Sequence, residues 1–168
     1  MRKVLVAYAS KHGATAEIAM AVGETMGRTG LDVDVRGVDE VADVATYDAV
    51  VVGSSVYVMR WRPEAVRFLR RNRRVLSGRP VWLFDSGPLD DSADTSPQPL
   101  PKKVASLADA IGIRGRANFG GKLTEDAKGF IARKMVEGGT GGDFRNFDRI
   151  REWATEVAAE LDTPAEKT

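Results

Sequence analysis

Unbroken apolar runs alternate along this chain with stretches in which apolar residues recur every three or four positions. Val4-Leu5-Val6-Ala7-Tyr8-Ala9 is the first run and reads as a buried strand. Ile18, Val22 and Met26, with Ala19 beside them, fall at i, i+4 and i+8 and mark one helical face, which Gly27 and Gly30 bring to a stop. Leu31, Val33 and Val35 then alternate with Asp32, Asp34 and Arg36, the pattern of a half-exposed edge strand. Ala49-Val50-Val51-Val52 is β-branched and continuous, a central strand covered on both faces and ending at Gly53. Pro63 opens a helix whose face carries Val66, Phe68 and Leu69, ahead of Arg70-Arg71-Asn72-Arg73-Arg74. Val81 to Phe84 reads as a fourth strand, Val104 to Ile111 as a short helix, and Arg116 to Gly120 as a fifth strand. Ile150, Trp153, Val157 and Leu161 line the last helix, and Trp82 and Trp153 are read as core. Strands alternating with helices through long crossovers predict an α/β fold: a doubly wound, five-stranded parallel sheet with helices on both faces. One domain over residues 1–161 and a polar tail over 162–168 are expected.

In such sheets ligands sit beyond the carboxyl ends of the strands. Three loops meet that condition, Ser10–Thr15, Gly53–Met59 and Asp85–Leu89, and each is rich in small or hydroxyl residues. The first leads directly into a helix, so its N–H and O–H groups and the helix N-terminus converge on one small volume suited to a phosphate monoester. It carries neither a Gly-x4-Gly-Lys-Ser/Thr run nor Gly-x-Gly-x-x-Gly, so it matches neither the nucleoside-triphosphate loop nor the dinucleotide fingerprint. Ser and Thr at such a place also cap helices, and Ser10, Gly13 and Thr15 read either way on this segment alone.

Composition narrows the chemistry further. A formal net charge of +1 gives no electrostatic reason for binding nucleic acid or membrane. With no cysteine and a single histidine, His12, disulfides, iron–sulfur clusters and thiol catalysis drop out, and a metal site is not expected. No apolar stretch approaches the length of a membrane span, and a cytoplasmic protein is expected. No protein nucleophile or acid–base pair stands out.

Taken together the three loops resemble those of the flavodoxin family. Ser10-Lys11-His12-Gly13-Ala14-Thr15 is similar to its hydroxyl-x-hydroxyl-Gly-x-Thr phosphate loop, with His12 replacing the second hydroxyl. Ser54-Ser55-Val56-Tyr57 resembles the segment after the third strand, where an aromatic residue covers the flavin ring. Tyr57 takes that place, and Trp61 is either a second aromatic wall or an anchor for the Pro63 helix. Asp85-Ser86-Gly87-Pro88 falls where the other flavin-facing loop lies. The resemblance implies an FMN site built from these residues. A narrower resemblance is to the menaquinone-dependent protoporphyrinogen oxidase branch, carried by the basic stretch Lys122–Met135, the cluster Gly138–Gly142 and the helix containing Trp153. Asp90, Asp91 and Asp94 depart from it, standing where a basic stretch is expected.

The implied activity is that of an FMN-dependent oxidoreductase passing electrons or hydride to a quinone-type or other small acceptor, with a small-molecule or protein redox partner; a homodimer is left open. Alternatives are a one-electron flavodoxin-type carrier and an interaction domain of the same fold without cofactor. A phosphorylated receiver domain is excluded, because Val52-Gly53 offers no phospho-acceptor aspartate and the first strand ends without an acidic pair. Arg60 and Arg62 are read as substrate-facing or as stabilising charge on the reduced flavin. A charge about 10 Å away is worth roughly 0.4–1.7 kcal/mol for dielectric constants between about 80 and 20. Arg67 to Arg74 are read as a solvated helix face.

Overall fold

In the computed structural model the chain folds around one parallel sheet; the structure describes residues 2–10, 13–87, 98–123, 142–143 and 145–162. The elements in order are β1 (Lys3–Ala9), α1 (Ala14–Gly27), β2 (Asp32–Gly37), β3 (Ala49–Tyr57), β4 (Arg60–Trp61), α2 (Pro63–Arg71), α3 (Arg73–Ser77), β5 (Val81–Ser86), α4 (Lys102–Ile111), β6 (Gly115–Phe119), β7 (Lys122–Leu123), β8 (Gly142–Asp143) and α5 (Phe147–Asp162). β2, β1, β3, β5 and β6 lie side by side in that order, all parallel, as the apolar runs predict. β4 folds back antiparallel on β3, and β7 pairs with β8 as a separate small ribbon.

Side-chain alternation divides the core between the two faces. Leu5, Ala7, Val50, Val52, Val81 and Leu83 pack under α2, α3 and α4. Val4, Val6, Val51, Trp82 and Phe84 pack under α1 and α5, against Ile18, Val22, Met26, Ile150 and Leu161. Trp153 closes this second face by meeting Phe84 and Phe119 edge-on, at ring-centroid distances of 6.1 and 5.8 Å.

Two expectations are corrected here. The central strand does not end at Gly53 but runs four residues further, because Val56 and Tyr57 find partners in Trp61 and Arg60 of β4. Gly53 is a packing position: a Cβ there would stand 2.0 Å from the Phe84 ring. The helix opened by Pro63 is interrupted at Asn72, whose side-chain N–H donates to the Phe68 carbonyl (2.9 Å) and ends α2. α3 then restarts and buries Leu76. Arg67, Arg70, Arg71, Arg73 and Arg74 are exposed on α2 and α3 as expected. Arg79 instead ties the approach to β3 by donating to the Tyr47 and Ala45 carbonyls.

Candidate functional site

The carboxyl edge of the sheet is assembled by register. Ala9 pairs with Ser54, Ser54 with Asp85, and Asp85 with Asn118, which forms one rung across four strands. One residue further, Ser55 pairs with Ser86 and Ser86 with Phe119, while Ser10 leaves the end of β1.

At the first strand end, Ser10 Oγ accepts the Gly13 N–H at 2.9 Å, which closes a tight turn. Gly13 sits at φ 83°, a left-handed conformation that glycine adopts without strain, and it caps α1. The first-turn amides of a helix have no intrahelical acceptor and favour an anion. Thr15, in that first turn, is fully buried, and its Oγ1 has no hydrogen-bond partner among the described residues. Ser55 Oγ is the other buried side-chain oxygen without a partner among the described residues. Gly53 and Ser55 alternate onto the α1 face of β3, so both orphaned hydroxyls lie on one side of the sheet at its carboxyl edge. Leaving a buried hydroxyl unsatisfied costs about 1–3 kcal/mol. Two on one side of the sheet at its carboxyl edge are the chemistry of a polar ligand, and a hydroxyl in the first turn of a helix fits a phosphate monoester.

Ser54 behaves differently from Ser55. It is fully buried on the opposite face, its Oγ accepts the Arg62 N–H (2.9 Å) and donates to the Ser55 carbonyl (2.9 Å). Its hydroxyl is spent on the hairpin. Tyr57 stands on the hairpin, 39% exposed, and shares a side with its pair partner Arg60. Trp61 pairs with Val56, is buried, and donates its indole N–H to Asp85 Oδ2 at 3.1 Å. The two readings of Trp61 are thereby separated: it anchors the hairpin, and Tyr57 is the aromatic residue at the rim. The turn residues Val58 and Met59 both have positive φ (51° and 59°) and are highly exposed. Such turns favour Asn-Gly, so a β-branched residue here stores strain beside the site.

Asp85 is not a loop residue facing the ligand. It lies inside β5, 1% exposed, and accepts from Trp61 Nε1 and from Asn118 Nδ2 (2.6 Å). Burial raises its pKa above the usual carboxylate value, while the two donors and the nearby Arg116 charge oppose that rise. Ser86 donates to the Gly120 carbonyl (3.3 Å), and Gly87, at φ 141°, donates its N–H to the Phe119 carbonyl (2.9 Å). Lys11, His12 and Pro88 lie outside the described residues, as do Asp90, Asp91, Asp94 and most of Lys122–Gly142. Arg62 is held in place: its guanidinium meets Glu64 at 3.0 and 3.3 Å, so its charge is balanced locally.

Two groups escaped the sequence reading. Arg145, ahead of α5, reaches the first turn of α1, where it pairs with Glu17 and approaches the Ala14 carbonyl (3.4 Å), neutralising the acid nearest the anion site. Asn118 is the second, and only strand register could have placed it beside Asp85. Two open clefts lie off this edge. One of about 540 Å3 runs between Arg116, Phe119, Arg149 and Trp153, and one of about 490 Å3 between Glu17, Met20, Phe147 and Arg151. The unpartnered hydroxyls mark the site better than either cleft, because a surface groove leaves no polar group unsatisfied. Among the described residues no group of acidic or histidine side chains is placed to hold a metal, and no helix is long and apolar enough to cross a membrane.

Comparison with known proteins agrees with this layout. Among solved structures, rubredoxin oxygen:oxidoreductase from Desulfovibrio gigas aligns over 96% of this chain and 36% of its own, with TM-score 0.63 and 15% identity. Flavodoxin 2 from Bacillus cereus aligns over 95% of this chain and 99% of its own (TM-score 0.61, 19% identity). Two-electron reduced flavodoxin from Megasphaera elsdenii aligns over 93% and 98% (TM-score 0.63, 18% identity). These likenesses establish the fold. No curated protein matches the sequence. The family model described as flavodoxin domain matches residues 5–139, and the chain therefore belongs to the flavodoxin domain family.

Proposed function

We propose that this protein binds FMN at the carboxyl edge of its sheet and transfers electrons through it. The observation that carries this reading is the pair of buried hydroxyls without a partner among the described residues, Thr15 Oγ1 in the first turn of α1 and Ser55 Oγ on the α1 face of β3 at the carboxyl edge of the sheet. Thr15, Ser55, the Gly13 turn and the first-turn amides of α1 would hold the phosphate, and Tyr57 would cover the ring. Bound flavin supplies the redox chemistry; the protein positions it and tunes its environment. Ser10 keeps the turn closed, and Arg145 offsets the Glu17 charge that would otherwise repel a dianion. Lys11, His12, Ala14 and the stretch Ser86–Pro88 complete the proposed binding set.

The acceptor is proposed to be a quinone-type or other small molecule, or a protein redox partner. Arg60, exposed beside Tyr57, is the cation that the hairpin presents to it. With Arg62 balanced by Glu64, the electrostatic preference for two-electron reduction rests on Arg60 alone, which brings the one-electron carrier closer to equal standing. The protoporphyrinogen oxidase branch gains no support from the comparisons. Purified protein titrated with FMN is expected to show the visible bands of bound flavin at one equivalent per chain. A protein that leaves the spectrum and fluorescence of free FMN unchanged would instead be an interaction domain of this fold.

A further inference from the structure

Asp85 is a carboxylate buried in a strand interior, and among the described residues two neutral N–H donors hold its oxygens and no cation lies within ion-pair distance. Such a group is costly unless every lone pair is used, and breaking one of its partners leaves a buried charge uncompensated. Its partners are unusual in what else they hold. Trp61, on Oδ2, belongs to the hairpin that carries Tyr57 and Arg60. Asn118, on Oδ1, also donates to the Gly87 carbonyl (2.8 Å) and accepts the Gln98 N–H (3.0 Å). Gly87 and Gln98 flank the connection between β5 and α4. The Asn118 amide cannot be reversed, since that would set its N–H2 against the Gln98 donor and its oxygen against the Gly87 carbonyl. Arg116 strengthens the same clamp by donating to the Gln98 carbonyl (2.9 Å).

One carboxylate thus joins the β3–β4 hairpin to Gly87 and Gln98, on the face of the sheet opposite Ser55. Asn118, Trp61 and, through its charge, Arg116 on β6 are the groups that act on it.

We infer that Asp85 is a positioning residue for the proposed ring site, locking the Tyr57 hairpin to Gly87 and Gln98 through Trp61 and Asn118. This rests on the FMN reading for its consequence, but not for its geometry. Asp85→Asn preserves size and puts an N–H2 against at least one donor. Trp61→Phe removes a single donor and keeps the ring, and it serves where the first variant does not fold.

Two measurements test the inference. In protein without flavin, amide hydrogen exchange at Arg62 and Gln98 should accelerate together in either variant, although these amides lie on separate loops. In protein loaded with flavin, FMN and riboflavin affinities should fall by the same factor, about tenfold for one lost hydrogen bond to a charged group, with an altered spectrum of the bound ring. Thr15→Val should change the FMN-to-riboflavin ratio, whereas Asp85→Asn should not. A folded variant with wild-type exchange at both amides, or with wild-type affinity and spectrum, would overturn the positioning role. If the parent protein takes no flavin, the cofactor reading fails and the exchange result alone decides the lock.

Discussion

Thr15→Val is expected to weaken FMN binding by about tenfold to a hundredfold and to leave riboflavin binding unchanged. Valine keeps the shape of threonine, and Thr15 is fully buried in the first turn of α1, so the fold has no reason to respond beyond loss of an unsatisfied hydroxyl. A hydrogen bond to a charged group contributes about 1.5–3 kcal/mol, and each 1.4 kcal/mol is a factor of ten. The apoprotein should even gain stability, because the orphaned oxygen disappears. Fluorescence titration with each flavin reads the affinities, and urea denaturation reads the stability. Normal FMN affinity in the variant would reduce Thr15 to a helix-cap residue.

The second large effect lies in the core that carries the site. Phe84→Ala should destabilise the protein by about 3–5 kcal/mol, the cost of removing a buried aromatic ring. Phe84 is fully buried, packs over the bare Cα of Gly53, and meets Phe119 and Trp153 at centroid distances of 6.2 and 6.1 Å. No neighbour can collapse into the space, because Gly53 has no side chain to offer and the other two rings are fixed by β6 and α5. Equilibrium urea unfolding measures it; a loss under about 1 kcal/mol would show that the face relaxes freely. Ser55 lies two residues beyond Gly53 on the same face, so weaker flavin binding should accompany the loss of packing.

Much of this architecture was legible in hydrophobic period. β1, β3 and β5 are continuous apolar runs because both of their faces are covered, and α1 and α5 announce one face each through Ile18–Val22–Met26 and Ile150–Val157–Leu161. The β3–β4 hairpin was not legible. Its turn is Val58-Met59, which has none of the glycine or asparagine chemistry that normally marks positive φ. The strand therefore seemed to end at Gly53, a residue whose role is to admit Phe84. Ser10 and Gly13 form the turn between β1 and α1, and Thr15 and Ser55 carry the buried hydroxyls without a partner among the described residues. Ser54 and Ser55 look equivalent in sequence, but alternation turns one toward the hairpin and the other toward α1. Asp85 reads as a loop residue until strand pairing sets it beside Asn118, and no local pattern links positions 61, 85 and 118.

The phosphate assignment of the β1–α1 loop is tested most directly by calorimetric titration of flavin-free protein with FMN and, separately, with riboflavin, which has the same ring and lacks the phosphate. One FMN per chain with much weaker riboflavin binding is the expected result, since Thr15, Ser55 and the α1 N-terminus are assigned to the phosphate alone in the proposed site. Equal affinity for the two, or no binding of either, would contradict it.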